Sequence, residues 1–238
     1  MWQEVGQRKA MATLREHPKF RGVYIIEDYQ GKRLATENLV PGTKVYGEDL
    51  YRIGKTEYRI WDAFRSKLAA SIEKGIKDIP ITEGSKVLYL GAASGTTSSH
   101  VSDILGRKGR VFCVEFAPRV MRELIEISAP RGNMVPILCD ARMPSSYRSL
   151  VEVVDSIYCD VAQPEQAKLL ADNADMFLRG HGKVMIAIKA RSVDVTKDPI
   201  DIFKHEIKVL EGRGFKIIDV KKLEPFDKDH AMVVGELM

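Results

Sequence analysis

Apolar runs alternate with helical patterns over most of the chain. Most of these runs are continuously apolar, which is typical of strands that are covered on both faces. The runs are KVLYLG (86–91), RVFCVE (110–115), MVPILCD (134–140), DSIYCD (155–160) and KVMIAIK (183–189). Helical spacing of apolar positions recurs between and after them, at 101–105, at 120–128, from Pro164 to before Gly180, and from Asp198 to about Gly212. The alternation predicts an α/β fold with an open, doubly wound, Rossmann-like sheet.

The two ends of the chain carry other patterns. FKIIDV (215–220) and HAMVVGEL (230–237) predict an antiparallel hairpin that closes the sheet. Residues 1–56 predict a small β-rich N-terminal domain without a catalytic signature, with a hairpin around Gln30-Gly31 and a turn at Pro41-Gly42. Residues 57–238 form the second predicted domain. This domain opens with a helical stripe that comprises Ile60, Phe64, Leu68, Ile72 and Ile76.

Composition narrows the class of protein. The 238 residues are 45% hydrophobic and carry a net charge of +4, which permits a nucleic-acid partner without requiring one. Cys113, Cys139 and Cys159 fall in apolar runs and have no metal-ligand spacing, so we predict reduced core thiols and no metal. The first twenty residues are polar, and no run approaches the roughly 18 apolar residues that a membrane helix needs. We therefore expect a cytoplasmic protein.

The loop after the first predicted strand of the sheet is a candidate ligand loop. Gly91-Ala92-Ala-Ser-Gly95 precedes a helix, and Gly and Ala allow a ligand close to the backbone and to the free N–H groups of the helix start. The spacing is neither that of a dinucleotide fold nor that of a phosphate loop. It favours a nucleoside over NAD or ATP. The alternative is a tight turn without a ligand.

Acidic residues follow the next three strands at the same edge of the sheet. Glu115 is placed to accept hydrogen bonds from ribose hydroxyls, and Phe116 to stack on adenine. Asp140 is placed to accept from the adenine amino group, and Ala141 leaves room for the ring. Asp160 follows the fourth strand. Solvated or helix-capping acids are the alternative reading, but beside a Gly loop the set favours S-adenosylmethionine.

A second group of residues suggests the reaction. Lys189 ends an apolar strand beside Asp160, and Lys67 lies on the helix before the first strand of the sheet. Methyl transfer is an in-line displacement, and a ribose 2′-hydroxyl must lose its proton to react well. Asp160 could accept that proton or orient the hydroxyl, and the lysines would stabilise the alkoxide and hold the RNA backbone. The alternative for Lys189 is an exposed lysine where the sheet meets solvent.

Seven segments resemble the fibrillarin family in its short archaeal form. They are YGEDLYRIGKTEYRIWDAFRSKLAASI, VLYLGAASGTTSSHVSDI, VFCVEFAPR, ILCDARMP, YCDVAQPEQ, MIAIKARS and FDKDHAMV. The resemblance covers nearly the whole chain, and DVAQP and EYRIWDAFRSKLAA are its most specific parts. It implies S-adenosylmethionine-dependent 2′-O-methylation of pre-ribosomal RNA and transfer RNA, directed by a box C/D guide RNA. The implied partners are a Nop56/58-like scaffold protein and a ribosomal-protein-like kink-turn binder.

The resemblance also implies roles for individual residues. The implied catalytic residues are Lys67, Asp160 and Lys189, with His230 as a fourth member; a plain loop or core histidine is the alternative for His230. The implied cofactor contacts are Thr96, Thr97, Glu115, Phe116, Asp140, Ala141, Asp160, Val161, Ala162 and Gln163. Gly91 and Ala92 complete the predicted cofactor set.

If the target RNA is selected by base pairing with a guide RNA, the enzyme itself needs few contacts with the bases. The modest net charge of +4 agrees with this expectation. Arg65, Lys67 and Arg191 are candidate phosphate contacts, whereas most other basic residues are expected to be solvated.

Three alternative functions remain open. A small-molecule or protein methyltransferase would act without RNA. A non-catalytic S-adenosylmethionine-binding module is disfavoured by the lysines beside Asp160, and an NAD oxidoreductase by the glycine spacing.

Overall fold

The structure is a computed structural model that describes residues 12–238. Residues 1–11, and with them part of the first twenty polar residues and of the predicted N-terminal domain, lie outside the described residues. The strands are β1 Thr13–Glu16, β2 Val23–Asp28, β3 Gly31–Glu37, β4 Leu50–Ile53, β5 Thr56–Ile60, β6 Lys86–Leu90, β7 Arg110–Glu115, β8 Met134–Leu138, β9 Val154–Cys159, β10 Leu178–Lys189, β11 Phe215–Lys222 and β12 His230–Leu237. The helices are α1 Lys67–Glu73, α2 Thr96–Leu105, α3 Pro118–Ser128, α4 Gln166–Phe177, α5 Ala190–Val193 and α6 Pro199–Gly212.

The large sheet has seven strands in the order β11-β12-β10-β9-β6-β7-β8. Strands β6 to β10 pair in parallel, and β12 runs antiparallel between β10 and β11. The predicted α/β fold with a closing antiparallel hairpin is thereby confirmed. The chain leaves β6 toward β7 and β8, and then returns to β9 and β10 on the other side of β6. The strand order therefore reverses between β6 and β9, where ligands bind in such sheets.

Both faces of this sheet are buried, which explains the continuously apolar runs. On β6, Val87 and Tyr89 belong to one hydrophobic cluster, which also includes residues of α1, α2 and α3. Leu88 and Leu90 point the other way, into a second cluster with α4 and α6. No helix among residues 12–238 has the length and apolar character to cross a membrane.

The smaller sheet is antiparallel, in the order β1-β2-β3-β5-β4. The predicted hairpin at Gln30-Gly31 is confirmed, since β2 and β3 pair up to Asp28 and Gly31. The helical stripe predicted from residue 57 is wrong at its start: Ile60 lies in β5, opposite Ala35 of β3, and Phe64 is 70% exposed. Tyr58 and Ile60 lie two residues apart on one face of β5 and belong to the same hydrophobic cluster. Residues four apart, as in the predicted stripe, also share one face of a strand, so this spacing does not distinguish a strand from a helix.

The small sheet therefore extends to Ile60, and the domain division after residue 56 stays a prediction. Helix α1 begins after Ser66, whose side chain accepts a hydrogen bond from the Ala69 backbone N–H.

A buried ionic cluster joins the two sheets. Arg59 of β5 is fully buried and pairs with Glu48, at 2.6 Å, and with Asp103 of α2, at 2.9 Å. Asp103 also pairs with Arg131 at 2.6 Å and accepts a hydrogen bond from Thr36 of β3. Buried charges of this kind are tolerated only when they are paired. The cluster ties the N-terminal sheet to α2, the helix that begins at the glycine loop.

Candidate active site

The end of β6 passes unusually close to the end of β9. The backbone N–H groups of Gly91 and Ala92 both donate to the Val114 carbonyl, at 2.9 and 3.1 Å. Gly91 has φ +79°, and a Cβ at this position would lie 2.9 Å from the carbonyl oxygen of Asp160. Only glycine fits such an approach without displacement. The loop thus brings the first strand end of the sheet directly against Asp160.

Helix α2 begins at Thr96, directly after its N-cap residue Gly95, which has φ +100°. The Thr97 hydroxyl is buried and donates to the Ser66 hydroxyl at 3.0 Å. Ser66 directly precedes Lys67 and caps the helix that carries it. Thr97 therefore connects the glycine loop to the start of α1.

Glu115, at the end of β7, is almost fully buried. One carboxylate oxygen accepts from the Ala93 N–H at 3.0 Å, and the other from the Ala117 N–H at 2.9 Å. Ala93 adopts a left-handed conformation with φ +47°. Phe116, which is 64% exposed, lies at the rim. Glu115 thus holds the loops after β6 and β7 together and still has lone pairs for ribose hydroxyls.

Asp140 follows β8 and is held by Arg142. The Arg142 backbone N–H donates to the carboxylate at 2.9 Å, and the guanidinium donates to both carboxylate oxygens. The Arg142 side chain is the largest cause that lowers the pKa of Asp140 below its ordinary value. The carboxylate therefore stays ionised and available as an acceptor.

A cavity of about 240 Å³ lies at the carboxyl ends of the parallel strands. Predicted residues that line it are Gly91, Glu115, Phe116, Asp140, Ala141, Asp160, Val161, Ala162, Gln163 and Lys189. Ala92, Thr96 and Thr97 do not line it. The lining residues that were not predicted are Ala93, Val114, Cys139 and Leu169. Larger surface cavities, of about 590 and 660 Å³, lie along the N-terminal sheet and not at the strand ends.

The cysteines divide into two kinds. Cys113 and Cys159 are fully buried, and burial raises the pKa of each thiol to about 12. Cys139 is half-buried and lies on the cavity wall, next to Asp140. Its position directly before a strand-end acid was the available signal for this placement.

The three residues predicted to react come together at one edge of the cavity. The Lys189 ammonium lies 2.9 Å from Oδ1 of Asp160, and the Lys67 ammonium lies 3.4 Å from the same atom. Lys189 also donates to the Asp160 carbonyl at 2.8 Å. The Lys189 backbone N–H donates to the Gln166 side chain at the start of α4, at 2.9 Å. One carboxylate therefore lies between two cations that come from distant parts of the chain.

His230 reaches this group through a residue that the sequence analysis missed. Nδ1 of His230 lies 2.8 Å from Oδ1 of Asp227, and Oδ2 of Asp227 lies 3.6 Å from the Lys67 ammonium. His230 stands opposite Lys189 in the β10–β12 register. The signal for Asp227 was its place three residues before His230 in FDKDHA. The charged side chains run in the order Lys189, Asp160, Lys67, Asp227 and His230.

The other predicted phosphate contacts lie on the surface. Arg65 is exposed, and its guanidinium donates to the Tyr46 carbonyl at 3.1 Å. Arg191 is exposed and pairs with Asp229 at 3.0 Å. Within residues 12–238, no group of three or more His, Cys, Asp or Glu side chains is placed to hold a metal ion.

The sheet order, the glycine loop and the acidic strand ends define a Rossmann-like methyltransferase fold. The family model described as Fibrillarin matches residues 14–238. A Staphylothermus marinus protein named fibrillarin-like rRNA/tRNA 2′-O-methyltransferase is similar to the chain, with 58% identity over 94% of this chain and 96% of the relative.

Two solved structures are similar over nearly the whole chain. Aeropyrum pernix fibrillarin in complex with natively bound S-adenosyl-L-methionine is 53% identical, with a TM-score of 0.89 over 95% of this chain and 99% of that one. A fibrillarin/Nop5p complex contains a chain that is 39% identical, with a TM-score of 0.82 over 94% of this chain and 100% of that one. The chain belongs to the fibrillarin family.

Proposed function

We propose that this chain is an S-adenosylmethionine-dependent 2′-O-methyltransferase of ribosomal and transfer RNA. The observation that carries the proposal is the Asp160 carboxylate, which lies between the Lys67 and Lys189 ammonium groups. It lies at the edge of a cleft whose acidic residues are suited to accept hydrogen bonds from a nucleoside. The similar S. marinus protein bears the same activity in its name. The similar A. pernix structure contains S-adenosyl-L-methionine.

The cleft suits the proposed cofactor. Gly91 leaves open the space that a Cβ would fill, next to Asp160. Glu115 would accept from the ribose hydroxyls, and Asp140 from the adenine amino group, with Phe116 against the ring. When bound, the sulfonium of S-adenosylmethionine supplies an electrophilic methyl group.

The chain's own residues would prepare the nucleophile. Asp160 is placed to orient a ribose 2′-hydroxyl and to accept its proton. Lys67 and Lys189 place two positive charges where negative charge develops on that oxygen. The same charges suit the phosphate groups of an RNA strand. A largely buried site strengthens these interactions relative to water.

We further propose that a box C/D guide RNA selects the target and that the protein works in the cytoplasm. The partners would be a Nop56/58-like scaffold and a ribosomal-protein-like kink-turn binder. The similar fibrillarin/Nop5p complex supports a scaffold of this kind. Arg65 and Arg191 are exposed and would meet the RNA backbone.

The test is transfer of labelled methyl from S-adenosylmethionine to a target RNA, in the presence of the guide RNA and both partner proteins. We expect label on the 2′-oxygen of the guided nucleotide, and none with a mismatched guide. Label on free small molecules or protein without RNA would favour the other methyltransferase classes. No label at the guided ribose would contradict the proposal.

An Asp160→Ala variant tests the assigned role of the carboxylate. We expect turnover to collapse, and cofactor affinity to fall as well, because Asp160 lines the cofactor cleft. Cofactor binding without any turnover by the unaltered protein would instead favour the non-catalytic module. Full turnover of the variant would remove Asp160 from the mechanism.

A further inference from the structure

Lys67 is shared between two carboxylates. Its ammonium lies 3.4 Å from Oδ1 of Asp160 and 3.6 Å from Oδ2 of Asp227. Both distances exceed the usual 2.7–2.9 Å of a charge-assisted hydrogen bond, whereas Lys189 contacts Asp160 at 2.9 Å. Lys67 therefore forms a tight pair with neither acid, and its N–H donors remain available to a third oxygen.

Asp227 also holds His230. The imidazole Nδ1 lies 2.8 Å from Oδ1 of Asp227 and 2.6 Å from the Lys228 carbonyl. Both partners can only accept, so Nδ1 of His230 carries a hydrogen and donates it toward them. A base held by a neighbouring carboxylate in this way is a recurrent arrangement in catalytic sites.

The loop that carries Asp227 is anchored at several points. The backbone N–H groups of Phe226 and Asp227 donate to the Leu223 carbonyl, at 2.9 and 3.2 Å, and Leu223 is fully buried. The Phe226 ring packs edge-on against Phe64, with centroids 5.1 Å apart. Phe64 stands just before the helix of Lys67, so the two charged partners are held from both sides.

We propose that Asp227 is a positioning residue for methyl transfer, which rests on the proposed function. Its carboxylate draws Lys67 away from a tight pair with Asp160, and it orients His230 through Nδ1. Without this charge, Lys67 moves onto Asp160 and occupies the oxygen that is needed for the substrate hydroxyl. Asp227 itself need not touch the RNA or the cofactor.

The test uses Asp227→Asn in the assembled guide particle. The amide keeps the size of the side chain and an acceptor for His230 but removes the charge. We expect kcat to fall about tenfold to a hundredfold, the range for misplaced reacting groups. The KM for target RNA and the affinity for S-adenosylmethionine should stay within about twofold of the unaltered protein. Asp227→Glu, which restores the charge, should recover part of kcat.

Asp78→Asn is the matched control. The Asp78 side chain is 31% exposed, against 32% for Asp227. It pairs at 2.7 Å with Lys183, which lies in the middle of β10, away from the end that carries Lys189. Its kcat should equal that of the unaltered protein. The inference would be overturned if both Asn variants lost kcat, or if Asp227→Asn kept the kcat of the unaltered protein. It would also be overturned if Asp227→Asn lost RNA binding by the same factor as kcat. Absence of guided methylation by the unaltered particle would instead contradict the proposed function, and the inference with it.

Discussion

Gly91→Ala is the most direct perturbation of the cleft. The added Cβ would lie 2.9 Å from the Asp160 carbonyl oxygen and 3.1 Å from its carbon. That carbonyl also accepts the hydrogen bond from the Lys189 ammonium at 2.8 Å. One methyl group therefore separates the ends of β6 and β9 and moves the backbone between two proposed catalytic residues.

The expected loss of folding stability in Gly91→Ala has two parts, and a control variant separates them. Gly91 has φ +79°, and an L-residue in the left-handed region costs roughly 1–2 kcal/mol. Overpacking against backbone adds about 1–3 kcal/mol. Gly84 has φ +81°, and nothing lies within 4 Å of its Cβ position. Gly84→Ala thus carries only the first cost, and Gly91→Ala carries both, or about 2–5 kcal/mol in total.

Urea unfolding would give the two losses of stability, and calorimetry with S-adenosylmethionine would give the affinities. We expect Gly84→Ala to bind the cofactor normally and to keep its turnover in the assembled particle. Gly91→Ala should be the less stable variant and should lose both binding and turnover. Equal stabilities of the two variants, or normal cofactor binding by Gly91→Ala, would refute the reasoning from close approach.

Three further predictions address the ionic cluster, the cavity wall and the cavity acid. Arg59→Met should cost about 3–5 kcal/mol in urea unfolding, because the buried Glu48 carboxylate loses its paired cation and Asp103 keeps only Arg131. Arg110→Met, at an exposed pair, should cost below about 1 kcal/mol, and equal costs would contradict the assigned role of burial. Iodoacetamide should label Cys139 in the native protein before the two buried cysteines, and S-adenosylmethionine should slow that labelling. Arg142→Ala should raise the pKa of Asp140 toward its ordinary value in an NMR titration. The stability that this pair contributes is present above the unfolded pKa and is lost as pH falls through the folded pKa, so the variant should lack this pH-dependent contribution. An unchanged pKa of Asp140 would contradict the assigned cause.

The sequence predicts the large sheet well because its strands are buried on both faces. Such strands are long apolar runs, and HAMVVGEL coincides with β12, His230–Leu237. The predicted helical stripe began too early, at Ile60, because residues four apart share a face in a strand as well as in a helix. The pairing of Ile60 with Ala35 of β3, which lies far from it in the chain, decides in favour of β5.

The same distinction applies to the site. Glu115, Asp140, Asp160 and Lys189 each stand at a strand end or within two residues after it, so their common edge follows from the topology alone. Asp227 belongs to a connection between β11 and β12. FDKDHA places Asp227 near His230, but the approach of Asp227 to Lys67 depends on how the loop folds against Phe64, a long-range contact.

Lys67 shows how the N-terminal sheet takes part in the site without supplying a catalytic residue. The chain enters the segment before α1 from Ile60, which is paired in the small sheet and whose carbonyl accepts from the Tyr46 hydroxyl at 2.8 Å. At the other end, Ser66 is held by Thr97 of α2. Arg59, next to Ile60, pairs with Asp103 of α2, so both ends of this segment are held by contacts with the same helix. The distance from the Lys67 ammonium to Asp160 is therefore set by the joint between the sheets, and loosening the buried charges at Arg59 should disturb methyl transfer as well as stability.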